Sequence, residues 1–397
     1  MARVDPKAVL EGRVPGRPPI ALIIGLVITS ACALLALGVD LLFGGGAGFW
    51  VGLLLAILPI PLLIALVLAL DRMEPEPPRL LLFTFMWGAG VAILGALVFN
   101  TLGMLYVTVP AFGEDKAHFV SATFGAPLVE EPLKGAVLFG ILWFRRNEID
   151  GFVDGIIYAA MVGFGFAMME NVTYYMRAYE EGGTQGLQAV FILRGVVAPL
   201  SHPLFTSMTG LGVAWAATRR HLRFVMPVAG LLAAMVLHGL WNGATTFGLG
   251  GLAVVYVLDF AILIVLIIMV FLERRSVVRR IETYLPMYAS TGLVTPADIQ
   301  MLRGMHARRA ARRWARLSGG PGAARAMGDY QLAATELALL HTRAERGVAD
   351  PRWFETRREA LLGLMGIARQ AFLRTPPRVP PPWAPQGPSG FMPPPRH

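Results

Sequence analysis

The chain has 397 residues, 55% of them hydrophobic and only 15% charged, with a formal net charge of +9. That balance excludes an ordinary soluble domain and puts the chain in the membrane class. A single cysteine, Cys32, excludes an internal disulfide and a cysteine-based metal cluster, so any metal must take His and carboxylate ligands.

In chain order, apolar stretches long enough to cross about 30 Å of hydrocarbon run roughly over 20–42, 48–70, 80–108, 118–144, 152–173, 188–217, 224–247 and 250–272. The expected fold class is all-α, a polytopic bundle of about eight transmembrane helices. The first stretch follows Arg3, Lys7, Arg13 and Arg17, is too long for a signal-peptide core and lacks a convincing small-residue cleavage site. It is therefore expected to be retained. Gly44 to Gly48 joins the first two stretches, and Pro75, Pro77 and Pro78 interrupt the chain before the third. Basic residues summed on alternate sides of the spans divide roughly 15 to 2, which puts both termini, including segment 1–19, in the cytoplasm.

The bundle, 20–272, is followed by an Arg-rich cytoplasmic helical region, 273–374. Twenty of the 35 basic residues, all Arg, lie after Leu272, against nine acids. A basic segment directly after a membrane helix suits an anionic lipid surface better than nucleic acid, which is an unfavoured partner here. Thr295, Pro296 and Asp298 predict one helix start, and Asp350, Pro351 and Glu355 another. Gly319 to Gly322 separates two helices, and the Arg308 to Arg316 cluster reads as a solvated or membrane-facing surface. The tail, 375–397, is too rich in proline to pack and is expected to be disordered.

Ionisable groups at membrane depth are rare and point to function. Glu130 and Glu131 lie inside the fourth apolar stretch, and Glu170, His202 and His238 lie in later ones. Counted along helices from the cytoplasmic edge, Glu131, His202, His238 and Glu170 lie roughly 21, 26, 23 and 29 Å deep, so they can meet at one level. Lys134 shares a helix face with Glu130, Phe166 lies one turn before Glu170, and His238 one turn before Asn242. Adjacent glutamates point about 100° apart, so one of the pair works on the reacting centre while the other supports it. Zinc held by Glu170, His202 and His238 is one reading of this inventory; a metal-free mechanism in which a glutamate activates water is the other. Gly125, Gly135, Gly155, Gly163 and Gly165 would allow close helix packing around a small wet cavity.

The runs Glu130-Glu-Pro-Leu-Lys134, Asp154-Gly-Ile-Ile-Tyr158, Phe166-Ala-Met-Met-Glu170-Asn171, His202-Pro-Leu-Phe205 and His238-Gly-Leu-Trp-Asn242 resemble the PrsW family of intramembrane proteases. That family is similar in motif logic to the CAAX-processing prenyl endopeptidases. The resemblance covers Glu130 to Asn242 and does not reach the region after Leu272. It implies a multi-helix, metal-dependent peptidase of the bacterial cytoplasmic membrane. Its substrate would be membrane-anchored, as the anti-sigma factor cut by the prototype is. Glu130, Glu131, Glu170 and His202 carry over as essential, with His238 beside them.

Each group also has a plainer reading. The Glu pair can be a structural ion pair with Lys134, and His202 and His238 can be hydrogen-bonded packing residues. Asp154 sits near a helix start, Phe166 packs beside the site, and Arg194 is expected to pair with Asp259. For the whole chain, the rivals to a peptidase are a proton- or ion-coupled transporter and a catalytically idle membrane scaffold. A transporter should show inverted repeats or two matched broken helices, and the sequence displays neither.

Overall fold

The computed structural model describes residues 20–44, 46–70, 73 and 75–373. The expected cytoplasmic N-terminus, 1–19, and the proline-rich tail, 375–397, lie outside them. Among the described residues every regular element is helical.

Helix α1 (Ile20–Gly44) is followed by α2 (Ala47–Ile57) and α3 (Ile60–Leu68), which are separated at Pro59. Helix α4 (Pro78–Trp87) passes through a π turn at Gly88–Ala92 into α5 (Ile93–Gly103). A second wide turn, Met104–Thr108, leads to the short helices α6 (Val109–Phe112) and α7 (Glu114–Val120), and a third, Ser121–Gly125, leads into α8 (Ala126–Phe144). Then come α9 (Phe152–Phe191), α10 (Ser201–Thr218), α11 (Val225–Ala244) and α12 (Gly248–Tyr284). The C-terminal part contains α13 (Pro296–Leu302), α14 (Met305–Glu345) and α15 (Pro351–Leu373).

Five helical stretches are long and apolar enough to cross a membrane: Ile20–Gly44, Ala47–Leu68, Pro78–Phe112, Phe152–Thr218 and Val225–Thr291. The last two are folded back on themselves. Glycines at positive φ, Gly183 at 59° and Gly248 at 64°, allow reversals there that an L side chain would resist.

The first half of α9 is the axis of the bundle. Its residues from Val153 to Phe166 are buried on every face, as a helix surrounded by protein requires. It packs against α2, α4 and α10, and α10 packs against α11. Small residues bring these helices together. Gly155 and Gly210 face each other's backbone across α9 and α10; Gly88, just after α4, faces the Val162 carbonyl of α9, and Gly165 of α9 faces the Phe85 carbonyl of α4.

One expected span is interrupted, and one expected boundary carries no helix end. The sixth span, expected as 188–217, is broken: a wide turn ends at Val197, and α10 restarts at Ser201. Pro199 brings no N–H for the Gly195 carbonyl, and it biases Ala198 away from helical geometry, where the observed φ and ψ are −122° and 40°. The boundary expected at Leu272 falls inside a continuous helix, because 273–284 contains no breaker. Val277 and Ile281 of that extension enter a second core with Leu302, Tyr330, Leu337 and Met365.

Arg308 also departs from its expected place on a solvated face. It is 2% exposed. It donates to the Leu302 and Met73 carbonyls and to Thr335 Oγ1, while Arg309, Arg313 and Arg316 of the same cluster remain exposed. Sequence period alone could not reveal a guanidinium whose partners come from three separate segments.

Candidate active site

Helix α8 carries Glu130, Glu131 and Lys134 over one turn, and all three are buried. Pro132 removes the N–H that would bond to the Leu128 carbonyl, loosening the helix beside the carboxylates. Helix α9 brings Phe166 and Glu170, α10 brings His202 at its first turn, and α11 brings His238. These residues, far apart in the chain, converge on one cluster.

The two glutamates have different surroundings. Glu131 is fully engaged: Oε1 accepts from Lys134 Nζ at 2.6 Å and from His238 Nδ1 at 2.9 Å, and Oε2 accepts from Thr206 Oγ1 at 3.3 Å. Glu130 Oε1 accepts from Asn100 Nδ2 at 3.1 Å, but its Oε2 has no hydrogen-bond partner among the described residues. That oxygen lies 3.7 Å from Lys134 Nζ and 3.8 Å from His238 Nε2. A buried carboxylate oxygen left without a partner is costly, so it marks a place where a further group belongs.

The hydrogen bonds assign both imidazole tautomers. His202 Nε2 donates to Glu170 Oε2 at 2.8 Å, so Nδ1 carries the lone pair, which faces Lys134 Nζ at 3.1 Å. His238 Nδ1 donates to Glu131, so its Nε2 is bare and faces Glu130. The rings lie 5.1 Å apart nearly at right angles, and His238 stacks on Phe205 at 5.4 Å. Phe166 packs against His202 at 5.3 Å and carries Lys134 Nζ 4.1 Å above its ring.

Donor atoms of Glu130, His202 and His238 all lie within 4.8 Å of one another. Each histidine gives one N–H to a carboxylate, as metal-binding imidazoles do, but only the second nitrogen of His238 is bare; that of His202 accepts from Lys134 Nζ, which would have to move aside for a cation. With the orphaned Glu130 oxygen, this donor set fits a divalent cation. Glu170, expected among the ligands, is not in that group of three; its carboxylate is bonded to His202 and to Arg194.

Arg194 departs from its expected pairing. It bonds to Glu170 and donates through Nε to Asn171 Oδ1 at 2.6 Å, rather than pairing with Asp259. The reversal at Gly183 lays 184–197 back alongside the preceding turns of α9, which brings Arg194 to Glu170. Asn242 is not part of the cluster: its Nδ2 donates to the Ala122 carbonyl at 2.9 Å and ties α11 to the turn before α8. Asp154 accepts from the N–H groups of Asp150 and Gly151 at 2.6 and 2.8 Å, capping α9.

Sequence reasoning missed Asn100 and Thr206, the partners of the two glutamates. Asn100 gave a signal, a lone amide within the third apolar stretch. Thr206 gave none, since hydroxyl residues are ordinary in membrane helices.

Residues 76–272 match a protein family described as PrsW family intramembrane metalloprotease. Among curated relatives, the chain is 29% identical over 150 residues to Protease PrsW of Oceanobacillus iheyensis, covering 38% of this chain and 66% of that one. It is 29% identical over 174 residues to Protease PrsW of Geobacillus kaustophilus, covering 43% and 69%. For Protease PrsW of Clostridioides difficile the figures are 29% over 192 residues, covering 48% and 76%. The chain thus spans just under two thirds of the first of these relatives. No solved structure matches.

Proposed function

Through residues 76–272 the chain belongs to the PrsW family, and from that premise we propose that it is an intramembrane endopeptidase acting on membrane-anchored proteins. The observation that carries the reading is the contrast between the glutamates, one saturated by three donors and its neighbour holding a free oxygen inside the bundle. An idle scaffold gains nothing from burying such a group.

In this mechanism Glu130 Oε2 takes a proton from a water seated between it and the bare His238 Nε2. The water oxygen attacks the scissile carbonyl carbon. Lys134, buried between the carboxylates and His202, stabilises the negative charge that develops. Glu130 then returns the proton to the departing amide nitrogen as the C–N bond breaks. Glu131 fixes the His238 tautomer and holds Lys134, and Glu170, oriented by Arg194 and Asn171, fixes His202. Zinc or another divalent cation, held by Glu130, His202 and His238, would supply Lewis-acid polarisation of the carbonyl. Lys134 Nζ on the His202 lone pair favours the metal-free variant.

The bundle is oriented with both termini in the cytoplasm and about eight spans in a bacterial cytoplasmic membrane. The five apolar stretches, two of them doubled back, together with 114–144, support that count. The exposed face of Arg309, Arg313 and Arg316 meets anionic lipid. An anti-sigma-factor-type protein is the substrate class the family suggests.

The test is cleavage of a membrane-anchored substrate by the detergent-purified chain, with metal content read on the same sample for the wild type and His202→Ala. Stoichiometric metal lost with activity in the variant supports the metallopeptidase. Activity without metal supports the glutamate mechanism, and no cleavage of any anchored substrate refutes the peptidase.

A further inference from the structure

One buried carboxylate takes no part in this chemistry. Asp259, on α12, is 7% exposed, and neither of its oxygens has a hydrogen-bond partner among the described residues. It lines a cavity of about 240 Å³ between α12 and the break that precedes α10.

Three features of that cavity point to an occupant. Its walls are Val197, Pro199, Leu200, Leu204, Leu263 and their neighbours, an apolar surround with no basic residue in the lining. A lone carboxylate at the end of an apolar slot suits a long aliphatic stem ending in a cation. The cavity also reaches the lipid side, because Val196, Tyr256 and Phe260 in its lining are 62%, 41% and 55% exposed. A segment lying in the bilayer can therefore enter sideways. Finally, Ala198, Pro199 and Ser201 are shared with a second, smaller cavity lined by Arg194, Asn171 and His202. One face of the broken segment borders the catalytic cluster and the other borders Asp259.

We propose that this cavity is a substrate subsite in which Asp259 receives a lysine or arginine side chain of the membrane-anchored segment being cut. The proposal rests on the peptidase reading and deepens it. A basic side chain supplies the partner that the carboxylate lacks, while the broken segment 198–200 holds the peptide on the His202 side. A segment with Leu at that position fills the slot and leaves Asp259 unpaired.

The experiment uses the full chain in lipid nanodiscs and single-span peptides that differ only by Arg, Lys, Gln or Leu, scanned across positions flanking the cut. Rates are measured for the wild type, Asp259→Asn and Asp259→Glu. Binding of the same peptides is measured by fluorescence anisotropy in a Glu130→Gln background. A charge-assisted hydrogen bond predicts at least about a tenfold preference for Arg or Lys over Leu at one position. That ratio should collapse in Asp259→Asn and persist in Asp259→Glu, with matching thermal melts showing that the variants are folded. Equal ratios in the wild type and Asp259→Asn would overturn the subsite. Cleavage without discrimination refutes the subsite and leaves the peptidase standing; discrimination in binding without any cleavage does the reverse.

Discussion

Substituting the two adjacent glutamates by glutamine should separate chemistry from architecture. In Glu131→Gln the two bonds to Oε1, from Lys134 and His238, lose their charged acceptor, and Lys134 keeps only Glu130 at 3.7 Å as a carboxylate neighbour. Breaking a buried pair by removing one partner costs about 3–5 kcal/mol, and the remaining carboxylate brings this variant to the lower end, about 3 kcal/mol. In Glu130→Gln the amide oxygen can still accept from Asn100, and the new NH2 faces the bare His238 nitrogen. Stability should therefore stay within about 1 kcal/mol of the wild type. Its activity should nevertheless fall about 10²- to 10⁴-fold, the contribution of a positioned proton acceptor. Thermal unfolding followed by tryptophan fluorescence in detergent, paired with cleavage of an anchored substrate, reads both quantities. A Glu130→Gln protein that retains more than about a tenth of wild-type activity would refute the assigned role, since even the weakest general base contributes more. A Glu131→Gln protein with an unchanged melt would show that Lys134 does not depend on that carboxylate.

Three other perturbations follow from the same geometry. A methyl group at Gly163 would stand 2.6 Å from the Pro203 nitrogen and 2.9 Å from the His202 carbonyl carbon, backbone atoms that cannot swing away. Gly163→Ala should thus displace His202 and lower the cleavage rate roughly tenfold or more without removing any reacting group. Arg308→Ala leaves the Leu302 and Met73 carbonyls and the Thr335 hydroxyl without their donor. It should cost roughly 3 kcal/mol and make the C-terminal helices sensitive to limited proteolysis. Asp150 sits at the foot of α9 against Arg343, and burial pushes its carboxyl up to about 7 despite that arginine. A carboxyl raised in the folded state stabilises the fold fully below the ordinary aspartate range, and this contribution is lost as the pH climbs to about 7. The melting temperature of the wild type should therefore fall between pH 4 and 7 relative to Asp150→Asn; a constant difference between the two would contradict the shift.

The cluster was legible in the sequence because the cost of burying charge leaves a visible mark: Glu130, Glu131, Glu170, His202 and His238 stand out against apolar neighbours, and counting residues from basic flanks gives each a depth. Depth, however, does not give rotation about the helix axis or the path of the chain between spans. Arg194 shows the difference. Its level in the membrane allowed Asp259 as a partner, but the reversal at Gly183 turns the arginine toward α9 and Glu170. That one displacement has two consequences. Glu170 bonds to His202, and the carboxylate whose donor atom lies within 4.8 Å of donors on both histidines is that of Glu130. Asp259 is meanwhile left facing a cavity with no cation of its own. The broken stretch at 198–200 belongs to the same argument, because the sequence expectation ran one span straight through Pro199 and Pro203. In the fold they place His202 at the start of a helix and open the space between Asp259 and the site. The local sequence therefore specifies which groups must be paired, and the chain reversals decide which of them remain available to a substrate.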